Sequence, residues 1–138
     1  MTSKQVTKDK YLIDRLRTAL PDLVAVYRFG TWGTPNERPD SDIDLAILSA
    51  VRIDPVQCWD VAQELAALVH REVDLINLRE ASTVMRSQVI AYGQRLYCAD
   101  EEKCGEFEDM TFVAYARLNE ERGGILKDAH KRGYIYGR

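Results

Sequence analysis

Hydrophobic positions along the chain switch between helical spacing and short continuous runs, which predicts helices and strands in alternation. Three apolar runs have the length of strands, at residues 23–29, 43–48 and 72–78. Before them, Pro21 ends an amphipathic stretch that predicts a first helix. The apolar face of that helix consists of Val6, Ile13, Leu16 and Leu20.

Further helices are predicted around the third apolar run. Pro55 suits the first turn of one helix, and Ser82 is a candidate N-cap of another that ends at Gly93. A short fourth strand is expected at residues 96–99, followed by a last helix that Gly123 and Gly124 should interrupt. The apolar stripes of the second and last helices are expected to be Val56, Trp59, Ala62, Leu65, Ala66 and Val69, and Phe107, Met110, Ala114, Leu118, Ile125 and Ala129.

This order of elements predicts an α+β fold, in which helices flank a mixed β-sheet with the first three strands at its centre. The length of 138 residues, with 46% hydrophobic and 30% charged residues, is typical of one globular domain spanning residues 1–138. The chain lacks the roughly 20 apolar residues of a membrane span, and its polar N-terminus is unlike a secretory signal. A net charge of −3 argues against direct nucleic-acid binding.

The cysteines predict a protein of the cytoplasm with free thiols. Cys58, Cys98 and Cys104 are odd in number and have no spacing typical of a disulfide framework. Neither Cys-x-x-Cys nor His-x-x-x-His is present, so a structural zinc site is not expected.

Two of the predicted strands carry an aspartate inside an apolar run. Asp44 lies between Ile43 and Leu45, and Asp74 has the same place in the third run. A buried carboxylate is costly unless it is paired or binds a cation. Asp42 and Asp44 should project from one face of their strand, and Asp74 joins them if the two strands are neighbours. Such a carboxylate cluster suits Mg²⁺, although exposed strand ends would also explain it.

The loop after the first strand is a candidate phosphate site. It begins with Gly30, which permits a tight turn, and Thr31, which offers a hydroxyl group. Backbone N–H groups at a helix start bind anions. The loop has neither the P-loop motif nor the three-glycine dinucleotide pattern. A phosphate site beside a Mg²⁺ site predicts chemistry on a nucleoside triphosphate.

The stretch FGTWGTPNERPDSDIDLAIL resembles the signature of the polymerase-beta-type nucleotidyltransferase superfamily, which is Gly-Ser, ten residues, then Asp-x-Asp. Here Gly30 and Thr31 precede ten residues and then Asp42-Ile43-Asp44, with threonine in place of serine. The superfamily's third acidic residue lies on a later strand, where EVDLINL supplies Asp74. Together with the tail, the chain more closely resembles the minimal nucleotidyltransferase (MNT) antitoxins of HEPN/MNT toxin–antitoxin pairs.

The resemblance implies a polymerase-beta-like nucleotidyltransferase fold and a protein adenylyltransferase. Such an antitoxin transfers AMP from ATP to a tyrosine of its partner, a HEPN ribonuclease toxin, and so silences it. It implies that Asp42, Asp44 and Asp74 are catalytic and hold Mg²⁺, and that Gly30 and Thr31 bind the β- and γ-phosphates.

Alternatives remain open at this point. The chain could neutralise a partner by binding alone, or it could modify a small molecule as antibiotic nucleotidyltransferases do. A receiver domain also has clustered aspartates, but the glycine loop fits it poorly. Arg28, inside the first strand, should pair with an acidic neighbour or face a partner. A candidate docking arm for a protein partner is formed by Lys127, Lys131, Arg132, Tyr134, Tyr136 and Arg138.

Overall fold

Four helices and four strands make up the part of the chain described by the computed structural model, which covers residues 3–30, 35, 38 and 41–131, with side chains between residues 8 and 121. Thr31 and the side chains of the candidate docking arm lie outside it. The elements in chain order are α1 (Ser3–Ala19), β1 (Leu23–Phe29), β2 (Ile43–Ser49), α2 (Pro55–Val69), β3 (Val73–Asn77), α3 (Thr83–Tyr92), β4 (Gln94–Cys98) and α4 (Glu101–Lys131).

Local sequence signals set the helix ends. The Asp54 carboxylate accepts a hydrogen bond from the Val56 amide at the start of α2, and Pro55 occupies the first turn. His70 ends that helix in the left-handed conformation, with φ 56°. The predicted N-cap of α3 is confirmed, because the Ser82 hydroxyl accepts from the Met85 amide at 3.1 Å.

The strands form one mixed sheet in the order β3-β2-β1-β4. β1 is antiparallel to both β2 and β4, whereas β2 and β3 are parallel and are joined by α2. The prediction that the first three strands lie at the centre is wrong for β3, which is an edge strand. β4 pairs with the free side of β1 and so places β1 and β2 in the middle.

Helices cover both faces of the sheet, and the strand residues alternate between two cores. On one face α1 and α2 bury a cluster that includes Leu12, Leu16, Val26, Leu45, Ile47 and Leu65. On the other face α3 and α4 bury a cluster that includes Ala25, Tyr27, Ala46, Leu78, Val89 and Cys104. Both central strands are thereby buried on their two faces.

The structure corrects three sequence predictions, which concern core membership, a helix interruption and the start of a strand. Val56 and Trp59 of α2 are 67% and 63% exposed, and Met110 of α4 is 72% exposed, so none of them belongs to the core. α4 runs through Gly123 and Gly124 without interruption, because a glycine pair costs helix stability but does not block helical hydrogen bonds. β4 begins at Gln94, two residues before the predicted start, because its pairing with β1 extends to that residue.

Arg28 of β1 forms a buried ion pair with Asp9 of α1. Its guanidinium donates to both carboxylate oxygens of Asp9, at 3.1 and 3.4 Å, and to the side-chain oxygen of Gln94. Both charged side chains are less than a tenth exposed. The expected pairing of Arg28 with an acidic neighbour is confirmed, and the pair ties α1 to β1.

Among the described helices, none is both long enough and apolar enough to cross a membrane.

Candidate active site

The aspartates of the two parallel strands lie side by side. Asp44 and Asp74 are register partners in the β2–β3 pair, and neighbouring strands are about 4.8 Å apart. Both residues point to the same face of the sheet because register partners share a face. The predicted meeting of these two carboxylates is therefore confirmed. Asp42 lies two residues before Asp44, just outside β2, and is exposed.

The charges of this cluster act on one another. Burial raises the pKa of Asp44 above its usual value, and the negative charges of Asp74 and Asp42 raise it further. Each of these effects disfavours the ionised carboxyl group of Asp44. A cation bound at this edge of the sheet would oppose the two charge effects.

Backbone geometry brings Gly30 against Asp44. β1 ends at Phe29, the register partner of Asp44, and the chain turns at Gly30 with φ 76°, in the left-handed region that favours glycine. A Cβ atom at this position would overlap the Asp44 carboxylate oxygen Oδ2. Glycine is thus required here both for the turn and for the close approach to Asp44.

The donor set suits a divalent cation that arrives with phosphate ligands. Within the described ranges, no three His, Cys, Asp or Glu side chains are close enough to form a metal site by themselves. Mg²⁺ in phosphoryl-transfer sites usually takes one or two carboxylates and completes its shell with phosphate oxygens and water. The predicted set of Asp42, Asp44 and Asp74 is therefore not assembled into a complete metal site, but the neighbouring Asp44 and Asp74 offer the hard oxygen donors that this role needs.

A groove of about 600 Å³ lies beside the carboxylates, along edge strand β3 and helix α2. Asp42 and Asp74 line the end next to the cluster, and the exposed Trp59 lines its α2 wall. Glu72 and Glu80 add two more acidic side chains, and no basic residue of the described chain lines the groove. Burial raises the pKa of Cys58 in this groove, and the charge of Asp74 raises it further.

The sequence did not reveal Trp59 as a candidate site residue. Its spacing from Ala62 and Ala66 fits the apolar stripe of α2, so periodicity assigned it to the core. The exposure of Trp59 depends on β3 being an edge strand, since the described residues place no further strand beneath that end of α2. A large exposed aromatic beside a charged cleft is typical of a binding surface.

Gly30 lies against Asp44, and Asp74 lies beside Asp44 on a parallel strand, as the sequence motif predicts. Residues 10–102 match the family described as polymerase beta, nucleotidyltransferase. The chain therefore belongs to this family and is a nucleotidyltransferase. The assignment of individual site residues remains a prediction.

Three comparisons show which nucleotidyltransferases this chain is similar to. The chain is 35% identical to protein adenylyltransferase MntA of Shewanella oneidensis over 125 residues, which cover 91% of this chain and 88% of the relative. Its fold matches an MNT antitoxin in complex with the tri-AMPylated HEPN toxin of S. oneidensis, with a TM-score of 0.75, 34% identity, and coverage of 90% of this chain and 97% of the other. It also matches a chain of a toxin–antitoxin crystal structure with AMP-PNP, with a TM-score of 0.79, 34% identity, and coverage of 88% and 98%.

Proposed function

We propose that this protein is an antitoxin that transfers AMP from ATP to a tyrosine hydroxyl of a cognate HEPN ribonuclease toxin and thereby neutralises it. The single observation that carries the proposal is the side-by-side placement of Asp44 and Asp74 with Gly30 against Asp44. The relative's activity as a protein adenylyltransferase supports the choice of a protein acceptor. A purely masking antitoxin would not need a carboxylate cluster whose members repel one another.

The reaction forms one bond and breaks one. The tyrosine oxygen bonds to the α-phosphorus of ATP, the bond from that phosphorus to the bridging oxygen breaks, and pyrophosphate leaves. The phenolic proton passes to Asp74, which is exposed on edge strand β3, and from there to solvent. A tyrosine hydroxyl, with a pKa of about 10, loses its proton far more easily than an alcohol.

Each predicted site residue has a role in this proposal. Asp42, Asp44 and Asp74 would hold Mg²⁺, which when bound would neutralise charge on the phosphates and favour the ionised acceptor hydroxyl. The turn at Gly30 would hold the β- and γ-phosphates on the β1 side of the carboxylates, and the sequence motif assigns the Thr31 hydroxyl to the same phosphates. Asp42 and Asp44 orient the α-phosphate, and Asp74 positions the acceptor oxygen opposite the leaving group.

These proposed roles imply the side from which the acceptor approaches. Because the strands run in the order β3-β2-β1, Gly30 and Asp74 lie on opposite sides of Asp44. In-line attack requires the acceptor to enter opposite the pyrophosphate, which is the side of edge strand β3. The acidic groove with Trp59 lies there, so we assign it to the toxin segment that carries the tyrosine.

Intact-mass analysis tests the proposed activity. The cognate toxin, incubated with this protein, ATP and Mg²⁺, should gain whole AMP units that map to tyrosine, and it should lose its ribonuclease activity. Removal of Mg²⁺ with a chelator should prevent both changes. Neutralisation of the toxin without added mass, including by the double variant Asp42→Asn, Asp44→Asn, would establish the masking alternative.

Replacing Trp59 with alanine should weaken use of the protein acceptor. We expect KM for the toxin to rise about tenfold, because a buried interface tryptophan contributes more than about 1 kcal/mol. KM for ATP should not change. Steady-state AMP transfer at varied toxin and varied ATP concentrations measures both constants.

Val56→Ala is the matched control for this variant. Val56 is as exposed as Trp59 and lies on the same helix, but it does not line the groove. This variant should leave both constants unchanged. A rise in KM for ATP in Trp59→Ala, with toxin KM unchanged, would assign the groove to the adenosine moiety instead.

A further inference from the structure

Two cysteines meet at the junction between β4 and α4. The Sγ atoms of Cys98 and Cys104 are 2.9 Å apart. Cys98 is the last residue of β4 and is partly exposed, whereas Cys104 lies in the first turn of α4 and is fully buried. A disulfide bond is about 2.0 Å long, so the sulfurs need to approach by less than about 1 Å to form one.

Backbone contacts hold this pair in place. The Ala99 amide donates to the carbonyl of Val24 at 2.8 Å, which fixes the chain just after Cys98. The Asp100 carboxylate caps α4 by accepting from the amides of Glu102 and Lys103, and the Cys104 amide donates to the Asp100 carbonyl at 3.0 Å. The two sulfurs are therefore positioned by a strand end and a capped helix start, before any bond forms between them.

The pair is separate from the candidate active site. Cys98 is the register partner of Ala25 near the start of β1, whereas Asp44 pairs with Phe29 at its end. Neither sulfur lines the acidic groove. A role for this pair consequently does not depend on the proposed AMP transfer.

We propose that Cys98 and Cys104 form a reversible dithiol modification site, which low-molecular-weight disulfides such as glutathione disulfide oxidise to an intramolecular disulfide. The Cys98 thiolate attacks glutathione disulfide, forms a mixed disulfide and releases one glutathione thiolate. The Cys104 thiolate then attacks the Cys98 sulfur and displaces the second glutathione. In balance, the two protein thiols are oxidised, and glutathione disulfide is reduced to two glutathione molecules that take up the two protons.

The order of the two steps follows from burial and charge. Only Cys98 is accessible to an external disulfide, because Cys104 is fully buried. Burial, the hydrogen bond with Cys98 and the negative charge of Cys98 together raise the pKa of Cys104 to about 12. Formation of the mixed disulfide removes the Cys98 thiol and its charge. The Cys104 thiol then becomes easier to ionise for its attack on the Cys98 sulfur.

Peptide mapping of the full-length protein tests the site. The native protein is equilibrated in buffers with increasing ratios of oxidised to reduced glutathione, alkylated and digested with trypsin. We expect a linked pair of peptides, 96–103 and 104–117, with the loss of two hydrogens, while Cys58 remains alkylated. Half of the native protein should be oxidised at a ratio of oxidised to reduced glutathione at least about tenfold lower than the urea-unfolded protein requires. The reason is that only the fold holds the two sulfurs together.

Single variants distinguish the two thiols. Cys104→Ser should accumulate the mixed disulfide at Cys98, and Cys98→Ser should resist oxidation while it remains folded by circular dichroism. Equal oxidant ratios for the native and unfolded wild-type protein would overturn the proposal. A wild-type product that stops at the mixed disulfide would overturn it as well, and neither measurement requires ATP or a toxin.

Discussion

Replacing Asp44 with asparagine should reduce AMP transfer by more than about 10²-fold, since loss of a single electrostatic contact to a transition state already costs 10²- to 10³-fold. The melting temperature should stay equal or rise. Burial and the charges of Asp74 and Asp42 raise the pKa of Asp44, so its ionised form destabilises the folded protein. Transfer assays and thermal unfolding at pH 7 measure the two effects.

The pH dependence of Asp44→Asn gives a second check. A carboxyl group with a raised pKa in the folded state lowers stability once it ionises, and this cost disappears as the pH falls through the folded-state pKa towards the unfolded value of about 3.9. Any stability advantage of the variant at pH 7 should thus vanish in acid. Asp109→Asn, on the exposed side of α4, is the control and should retain full activity. Full activity of Asp44→Asn would reject the metal-binding role.

Replacing Asp9 with alanine should lower the free energy of unfolding by about 3–5 kcal/mol, because it leaves the Arg28 guanidinium buried without its carboxylate. For a chain of this length the melting temperature should fall by roughly 10–15 °C. Urea denaturation and calorimetry measure these changes. The variant should be destabilised without a change in the site carboxylates, since Arg28 and its register partner Leu45 face the opposite side of the sheet from Phe29 and Asp44.

An exposed ion pair supplies the comparison for Asp9→Ala. Arg15 and Glu64 are 2.7 Å apart, but both side chains are more than two-fifths exposed, so Glu64→Ala should cost about 0–1 kcal/mol. Replacing both members of the buried pair, Asp9→Leu with Arg28→Met, should recover much of the loss in Asp9→Ala. A similar small effect for Asp9→Ala and Glu64→Ala would show that burial does not strengthen the Asp9–Arg28 interaction.

Much of the secondary structure followed from sequence because local signals coincide with periodicity. β1 spans the predicted residues 23–29, and Pro55 in the first turn of α2 and Ser82 at the N-cap of α3 lie where the sequence predicts them. The meeting of Asp44 and Asp74 was predictable from two apolar strands with one aspartate each. Their exact register depends on how β2 and β3 pack across α2, which no local pattern contains.

Features set by tertiary contacts were not predictable. Strand order decides that β3 is an edge, and this edge exposes Trp59, which has the spacing of a core residue. Likewise, five residues separate Cys98 from Cys104 along the chain, and only the strand-to-helix junction brings their sulfurs together. The buried partner of Arg28 comes from α1, 19 residues earlier, at a distance that sequence patterns do not specify.

The length of α4 predicts two different modes of backbone amide hydrogen exchange within one helix. Its 31 residues extend over about 46 Å, roughly twice the length of a seven-residue strand. Cys104 and Thr111 are buried in its first half, but from residue 112 to Glu121 no described side chain is buried. We therefore expect the backbone amides of the first turns to share the opening free energy of the core, and those from residue 112 to Glu121 to exchange with solvent through local unwinding.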